Sequence, residues 1–286
     1  MARTTTHDAG LGRVGTEPRS AVRQAAPWVE PAARAGYAAK GAVYVIIGIL
    51  AAQAAFGSGG RVTDSSGVLE TVLRQPAGRF LLVLLGVGLL GYALWRVVTA
   101  VADPEGKGSD GKGIAIRAGY ALRALIYGAL GVEALRLALA QRGGGGGDGA
   151  EHWTARALTL PAGRWLVGLA GAGVILYGLY QLRRAQTGDI RKRLDLHELG
   201  PDAAPWVIRI GQVGVAARAV VFAIVGWFLI RAALESDARE AGGLGEALSQ
   251  LGSTGYGPWL LGLTALGLVA YGCWQVVKAR YRRIMV

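Results

Sequence analysis

Only one cysteine occurs in this chain of 286 residues, Cys273, and it lies inside an apolar stretch. No disulfide can form within the chain, so cysteine usage sets no redox compartment. Three histidines are present, His7, His152 and His197. The topology argued below puts His152 on the opposite side of a membrane from the other two. These residues therefore cannot assemble a metal site by spacing, and no metal or cofactor is expected. The chain contains no G-x-S-x-G, no H-E-x-x-H and no P-loop. The serines of its polar segments have no evident base partner. The run "GGGGG" at 143–147 has neither the preceding strand nor the lysine–serine ending of a phosphate loop, and reads as a linker. Nothing here supports catalysis, so a non-enzymatic protein is expected. Residues 1–24 carry Arg3, Arg13, Arg19 and Arg23 but no apolar core of a signal peptide, and read as a disordered cytosolic tail.

Charge is also missing from long stretches. Residues 80–95, 165–182 and 259–277 contain none. Uncharged apolar runs of about 18 residues are long enough to cross a bilayer as helices. The chain has 46 glycines, and they recur within these runs, where small residues let helix backbones approach closely. The net charge is +12. The basic residues cluster at the ends of the apolar runs, as the positive-inside rule requires of a membrane protein, and a nucleic-acid partner is not expected.

What is present is a repeat. "RAGYAAKGAVYVIIG" begins at Arg34 and "RAGYALRALIYGALG" at Arg117. Gly36, Lys40, Tyr44 and Gly48 match Gly119, Arg123, Tyr127 and Gly131. A third copy reads Gly214, Arg218, Phe222 and Gly226. The second half of each unit repeats as well: "PAGRFLLVLLGVGLLGYALWR" from Pro76, "PAGRWLVGLAGAGVILYGLYQ" from Pro161 and "GYGPWLLGLTALGLVAYGCWQ" from Gly255. Tyr92, Tyr177 and Tyr271 align, as do Arg96, Gln181 and Gln275.

Each unit is two apolar helices joined by a polar loop. The expected fold is all-α: a polytopic membrane protein whose six transmembrane helices form three parallel two-helix repeats around a pseudo-threefold axis. Spans are expected at 34–56, 79–101, 118–140, 163–184, 211–234 and 258–280. The tail would occupy 1–24 and the repeats 25–105, 106–190 and 191–286. Short amphipathic stretches precede the even spans, "GVLETVLRQPAG" from Gly67, "WTARALTLPAG" from Trp153 and "GLGEALSQLGS" from Gly243, and read as interfacial helices. "RKRLDLHEL" at 191–199 reads as a positive-inside anchor.

Ionisable residues inside spans carry the functional interest. Glu133 and Arg136 are spaced to face one another on one helix, and a self-neutralising pair is the simplest reading. Lys40, Arg123 and Arg218 form a triplet shared by all three copies. Their side chains either snorkel to the inner headgroups or converge near the axis as a site for an anion or an anionic lipid headgroup. Gly36, Gly48, Gly119, Gly131, Gly214 and Gly226 lie on the same faces and are expected at helix–helix contacts.

Tandem units with G-x-x-x-[KR]-x-x-x-[YF]-x-x-x-G, followed by P-x-G-R-[FW] and Y-x-x-[WY]-[RQ], resemble domain of unknown function 1206. The third copy departs in carrying Pro258 where the others have Arg79 and Arg164. The resemblance covers residues 25–286 and implies a bacterial six-helix membrane protein with no assigned activity. Two roles are open: a packing, scaffold or lipid-interacting protein whose partner is the bilayer, or a permease or channel for a small solute or anion along the axis.

Most of the 31 Lys and Arg fall in the N-terminal tail, the second and fourth connections, the C-terminus and the adjoining helix ends. Both termini are therefore expected in the cytoplasm, with the protein in the bacterial inner (plasma) membrane. A reporter fused after Val286 should be cytoplasmic, and one inserted within 143–147 should be external. An external C-terminus would contradict the six-span reading.

Overall fold

The computed structural model describes residues 17–57, 65–104, 106–139, 149–187, 196–237, 239, 241, 243–253 and 255–281. The glycine run at 143–147 and residues 191–195 lie outside them. No strand occurs among the described residues. Six long helices are α1 (Glu17–Ala55), α3 (Gly78–Val101), α4 (Gly111–Ala138), α6 (Gly163–Gln186), α7 (Leu196–Glu235) and α9 (Gly257–Tyr281). Three short ones precede the even long helices: α2 (Ser65–Leu73), α5 (Gly149–Leu158) and α8 (Leu244–Gly252).

Five of the long helices contain segments long and apolar enough to cross a membrane: Glu30–Ala55, Gly78–Val101, Gly163–Arg183, Asp202–Glu235 and Gly257–Tyr281. The exception is α4, in which Lys112, Arg117, Arg123, Glu133 and Arg136 interrupt the apolar run. Two helices start earlier than expected. α1 begins at Glu17, so residues 17–24 of the expected tail are helical; residues 1–16 lie outside the described ones. α7 continues N-terminally to a break at Gly200, where φ is 73°.

The outward faces are apolar to an extent that water does not tolerate. On α3, Phe80, Leu84, Val87, Leu94 and Val101 are all exposed. Trp165 and Trp259 are exposed at the starts of α6 and α9, as aromatic side chains are at a membrane interface. Contiguous apolar surface of this kind marks contact with lipid or protein.

The long helices pack in a cyclic pattern. α3 lies on α4, α6 on α7, and α9 back on α1, so each even helix meets the odd helix of the next repeat. Small residues permit these contacts. A Cβ added to Gly48 would stand 2.7 Å from the Ala265 carbonyl, one on Gly131 3.1 Å from that of Gly86, and one on Gly226 2.6 Å from that of Gly171. Ala265, Gly86 and Gly171 occupy equivalent positions in the three repeats.

A second cyclic device seals the same joints. Arg117 donates through Nε to the Ala100 carbonyl at 2.7 Å and through Nη2 to that of Val101 at 3.0 Å. Gln212, its counterpart, donates to the Ala185 carbonyl at 3.0 Å, and Arg34 to those of Ala279, at 2.9 Å, and Arg280. Each side chain satisfies the orphan carbonyls at the C-terminus of the preceding repeat's even helix. For the two arginines, the negative end of the helix dipole adds to the attraction.

The connection into each even helix is equally repetitive. A Cβ on Gly78, Gly163 or Gly257 would come within 2.0–2.3 Å of a carbonyl of the preceding short helix. Only glycine allows the chain to turn so tightly. Ala77 and Ala162, just before, take left-handed φ values of 59° and 61°. The short helices then lay apolar faces on the bundle, burying Val68 and Leu69 of α2 and Ala247 and Leu248 of α8. In the α3–α4 connection, Asp103 accepts hydrogen bonds from the amides of Lys107 and Gly108, each at 2.7 Å. The Lys107 amide is the main reason its carboxyl is held below its ordinary value, with Arg117 nearby adding to it.

Within repeats the pattern breaks once. α1 packs on α3 and α7 on α9, whereas α4 and α6 are splayed apart. A Cβ on Gly36 would lie 2.5 Å from the Tyr92 amide nitrogen, and one on Gly214 would lie 2.4 Å from that of Tyr271. Gly119, expected at the equivalent contact, has nothing within 4 Å. That expectation fails because its partner helix has moved away. Gly36→Ala and Gly214→Ala should each lower the thermal midpoint in detergent, since backbone cannot give way to the methyl. Gly119→Ala should hold or raise it, because a helical glycine with room for a methyl gives up about 0.5–1 kcal/mol relative to alanine. Equal losses at all three positions would contradict the splayed arrangement.

Candidate functional site

The stripe bearing the Gly–basic–aromatic–Gly motif turns inward. Lys40 is only 2% exposed. Its Nζ lies 3.3 Å from Tyr92 Oη and sits over three rings, 4.4 Å from Tyr127, 4.9 Å from Tyr92 and 6.0 Å from Tyr271. Arg218 donates through Nη1 to Tyr271 Oη at 2.8 Å and to Gln181 Oε1 at 3.3 Å. Its guanidinium lies 4.4 Å over Phe222 and 4.9 Å over Tyr271. Arg123 donates through Nη2 to Tyr177 Oη. One rule covers all three: the cation of the odd helix donates to the aligned tyrosine of the even helix in its own repeat.

The aromatic position of the motif obeys a second rule, between repeats. Tyr127 meets Tyr92 edge-on at 4.9 Å, Tyr44 meets Tyr271 edge-on at 4.8 Å, and Phe222 meets Tyr177 at 5.9 Å. Each motif aromatic thus touches the even-helix tyrosine of the preceding repeat, with the first repeat following the third. With Tyr120, which lies over Arg123, seven rings surround the three cations. Ring faces are electron-rich, so they hold buried cations that a purely aliphatic core could not.

All three heads donate to tyrosine hydroxyls of the even helices. Among the described residues neither Arg123 nor Arg218 pairs with a carboxylate. Arg218 Nε is buried with no hydrogen-bond partner among them. The expected Glu133–Arg136 pair does not form: Glu133 is half-buried, Arg136 is exposed, and no ion pair joins them. Three residues of spacing permits the pairing without enforcing it, and a pair so exposed gains little.

A further cation, more deeply buried than Arg123 or Arg218, was missed in the sequence. Arg96 is 6% exposed, donates to Tyr37 Oη at 2.6 Å, and lies 4.8 Å over Tyr92 and 5.3 Å over Tyr120. The signal for it was the mismatch with Gln181 and Gln275, a charge where the other copies carry an amide.

The sequence profile of the family described as Domain of Unknown Function (DUF1206) matches the chain three times, over residues 35–103, 118–188 and 213–282. The chain belongs to this family. Each match to the DUF1206 profile encloses one motif cation, its tyrosine partner and the parts of the two long helices that carry them. The chain is 36% identical over 258 residues to the uncharacterized protein YxxB of Bacillus subtilis (strain 168), covering 90% of this chain and 93% of that protein. No solved structure matches it.

In this DUF1206 protein the hydroxyl acceptors hold up the cation ring. Tyr271→Phe keeps the ring faces and removes the acceptor of Arg218. Hydrogen bonds to charged groups contribute about 1.5–3 kcal/mol. The thermal midpoint in detergent should fall by several degrees, about the shift such a loss produces in a chain of this size. Tyr256→Phe, at an exposed ring, should leave it unchanged. Equal midpoints for the two variants would contradict the role given to the hydroxyl.

Proposed function

We propose that this protein crosses the bacterial inner (plasma) membrane six times, with both termini cytoplasmic and its three repeats set about a pseudo-threefold axis. We further propose that its role is non-enzymatic: a packed helical scaffold that interacts with the lipid around it. α4 is the sixth span. It is equivalent to α1 and α7 in the repeat, and Leu122, Leu125 and Ile126 give it an exposed apolar face. Its cations, which disqualify it by composition, have partners in neighbouring helices: Arg123 on Tyr177 and Arg117 on the end of α3.

The observation that carries the scaffold reading is the enclosure of Lys40 by rings from all three repeats. The basic groups all donate to tyrosine hydroxyls. The second reading, an anion permease, draws on one specific feature, the buried and unbonded Nε of Arg218. That nitrogen would welcome an anion in a low-dielectric site.

Reconstitution separates the two. Vesicles containing the purified protein should pass chloride and phosphate no faster than protein-free vesicles. Flux above that background that disappears in the triple variant Lys40→Gln, Arg123→Gln, Arg218→Gln would overturn the scaffold reading in favour of the permease.

A further inference from the structure

The splayed joint between α4 and α6 has a cause in the sequence. In the first repeat Gly88 of α3 receives Ala39 of α1: a Cβ on Gly88 would lie 2.6 Å from that of Ala39. In the third, Gly267 of α9 receives Ala217 of α7 at 2.2 Å on the same measure. The second repeat keeps the glycine, Gly173, but the residue aligned with Ala39 and Ala217 is Leu122. One turn further on, where the others have Gly91 and Ala270, it has Leu176. A Cβ on Gly91 would already stand 2.7 Å from the Ala32 carbonyl, so a leucine cannot enter a joint closed to that degree. Leu122 and Leu176 are thus too large for a closed joint, and α4 and α6 stand apart here. The two leucines are 58% and 65% exposed, and Gly119 and Gly173 between them meet nothing within 4 Å.

The cation of this repeat is displaced in the same sense. Lys40 lies among rings of all three repeats, and Arg218 rests on Phe222, the motif aromatic of its own helix. Arg123 rests instead on Tyr120 at 5.7 Å and bridges the open joint to Tyr177. No carboxylate among the described residues neutralises it. It lies six residues, about 9 Å along the helix, from Arg117, whose bonds to the end of α3 mark the inner boundary of the bundle. A guanidinium at that depth reaches toward the inner headgroup region.

We propose that the α4–α6 joint is the binding site of one anionic phospholipid from the inner leaflet. Its phosphate meets Arg123, and an acyl chain lies between Leu122 and Leu176 over Gly119 and Gly173. The proposal rests on the lipid-interacting reading above and names its ligand. Charge complementarity and shape select the occupant together. A soluble anion would satisfy Arg123 but leave the leucine-lined cleft empty, and a neutral lipid would fill the cleft but leave the cation without a counter-charge. A phosphate-bearing lipid with net negative charge does both.

Native mass spectrometry of the full chain, purified in detergent containing equal phosphatidylglycerol and phosphatidylcholine, tests this directly. The wild type should retain one phosphatidylglycerol. Leu122→Ala with Leu176→Gly gives the second repeat the residues of the first; its joint should close and its retention fall about tenfold. Gly173→Leu fills the cleft while keeping Arg123, Leu122 and Leu176, and should fall likewise, so the test survives a failure of the double variant to fold. Arg123→Gln should still bind lipid but without preference between the two headgroups. Excess inorganic phosphate should not displace the bound lipid. Unchanged phosphatidylglycerol retention in Gly173→Leu, or its displacement by inorganic phosphate, would overturn the proposal. Anion flux in the vesicle experiment would overturn the scaffold reading without altering this lipid count, so the two failures are separable.

Discussion

A cation cannot be enclosed among apolar helices without something to receive its charge, and this constraint organises the bundle. Each repeat places one basic side chain on the inner face of its odd helix. In each the even helix of the same repeat answers with a tyrosine hydroxyl. The ring of that tyrosine then meets the motif aromatic of the next repeat. One hydrogen bond holds a repeat together and one ring contact joins it to its neighbour. Since three repeats follow the same rules, the third must return to the first. The packing of α9 on α1 is that return.

Close helix packing supplies the rest. Where lipid surrounds a bundle, burying apolar side chains gains little over leaving them in acyl chains, and tight van der Waals contact takes over. The glycine and alanine pairs at Gly48 and Ala265, Gly131 and Gly86, and Gly226 and Gly171 provide it between repeats. Inside repeats Gly36 and Gly214 do the same, and only the second repeat departs. Leu122 and Leu176 are larger than any residue a closed joint admits, and the same repeat holds the cation that leans away from the centre. Pseudo-symmetry is thus a scaffold on which one joint has been made different, and the difference falls on a face turned outward.

Much of this is written in the repeat. The equivalence of Lys40, Arg123 and Arg218, and of Tyr92, Tyr177 and Tyr271, is visible by alignment, and so is the pairing of long helices with short amphipathic ones. Their bonding to one another is not, because sequence spacing locates residues along a helix and not across the bundle. The joints sealed by Arg34, Arg117 and Gln212 also escaped notice. Their acceptors are backbone carbonyls, which leave no mark in the sequence, and glutamine in one copy hides the equivalence. Mismatches between the copies carried as much as the matches: Leu122 against Ala39 and Ala217 marks the open joint, and Arg96 against Gln181 and Gln275 marks a further buried cation. The early start of α1 was obscured by Pro18, Pro27 and Pro31, which argue against helix by propensity alone. Glu133 and Arg136 show the opposite error, a favourable spacing that the folded chain does not use.

Closure of the third repeat onto the first is the claim on which the account stands. In a Cys273→Ser background, cysteines replacing Gly41 of α1 and Val276 of α9 report it, because a Cβ on Gly41 would lie 2.7 Å from Val276 Cγ2. A protease site inserted at 143–147 lets the two halves of the chain part after cleavage. Oxidation in native membranes followed by cleavage should leave the halves joined until a reductant is added. Halves that separate without reductant, from a protein that retains wild-type thermal stability, would show that α1 and α9 do not meet, and the cyclic arrangement would be wrong.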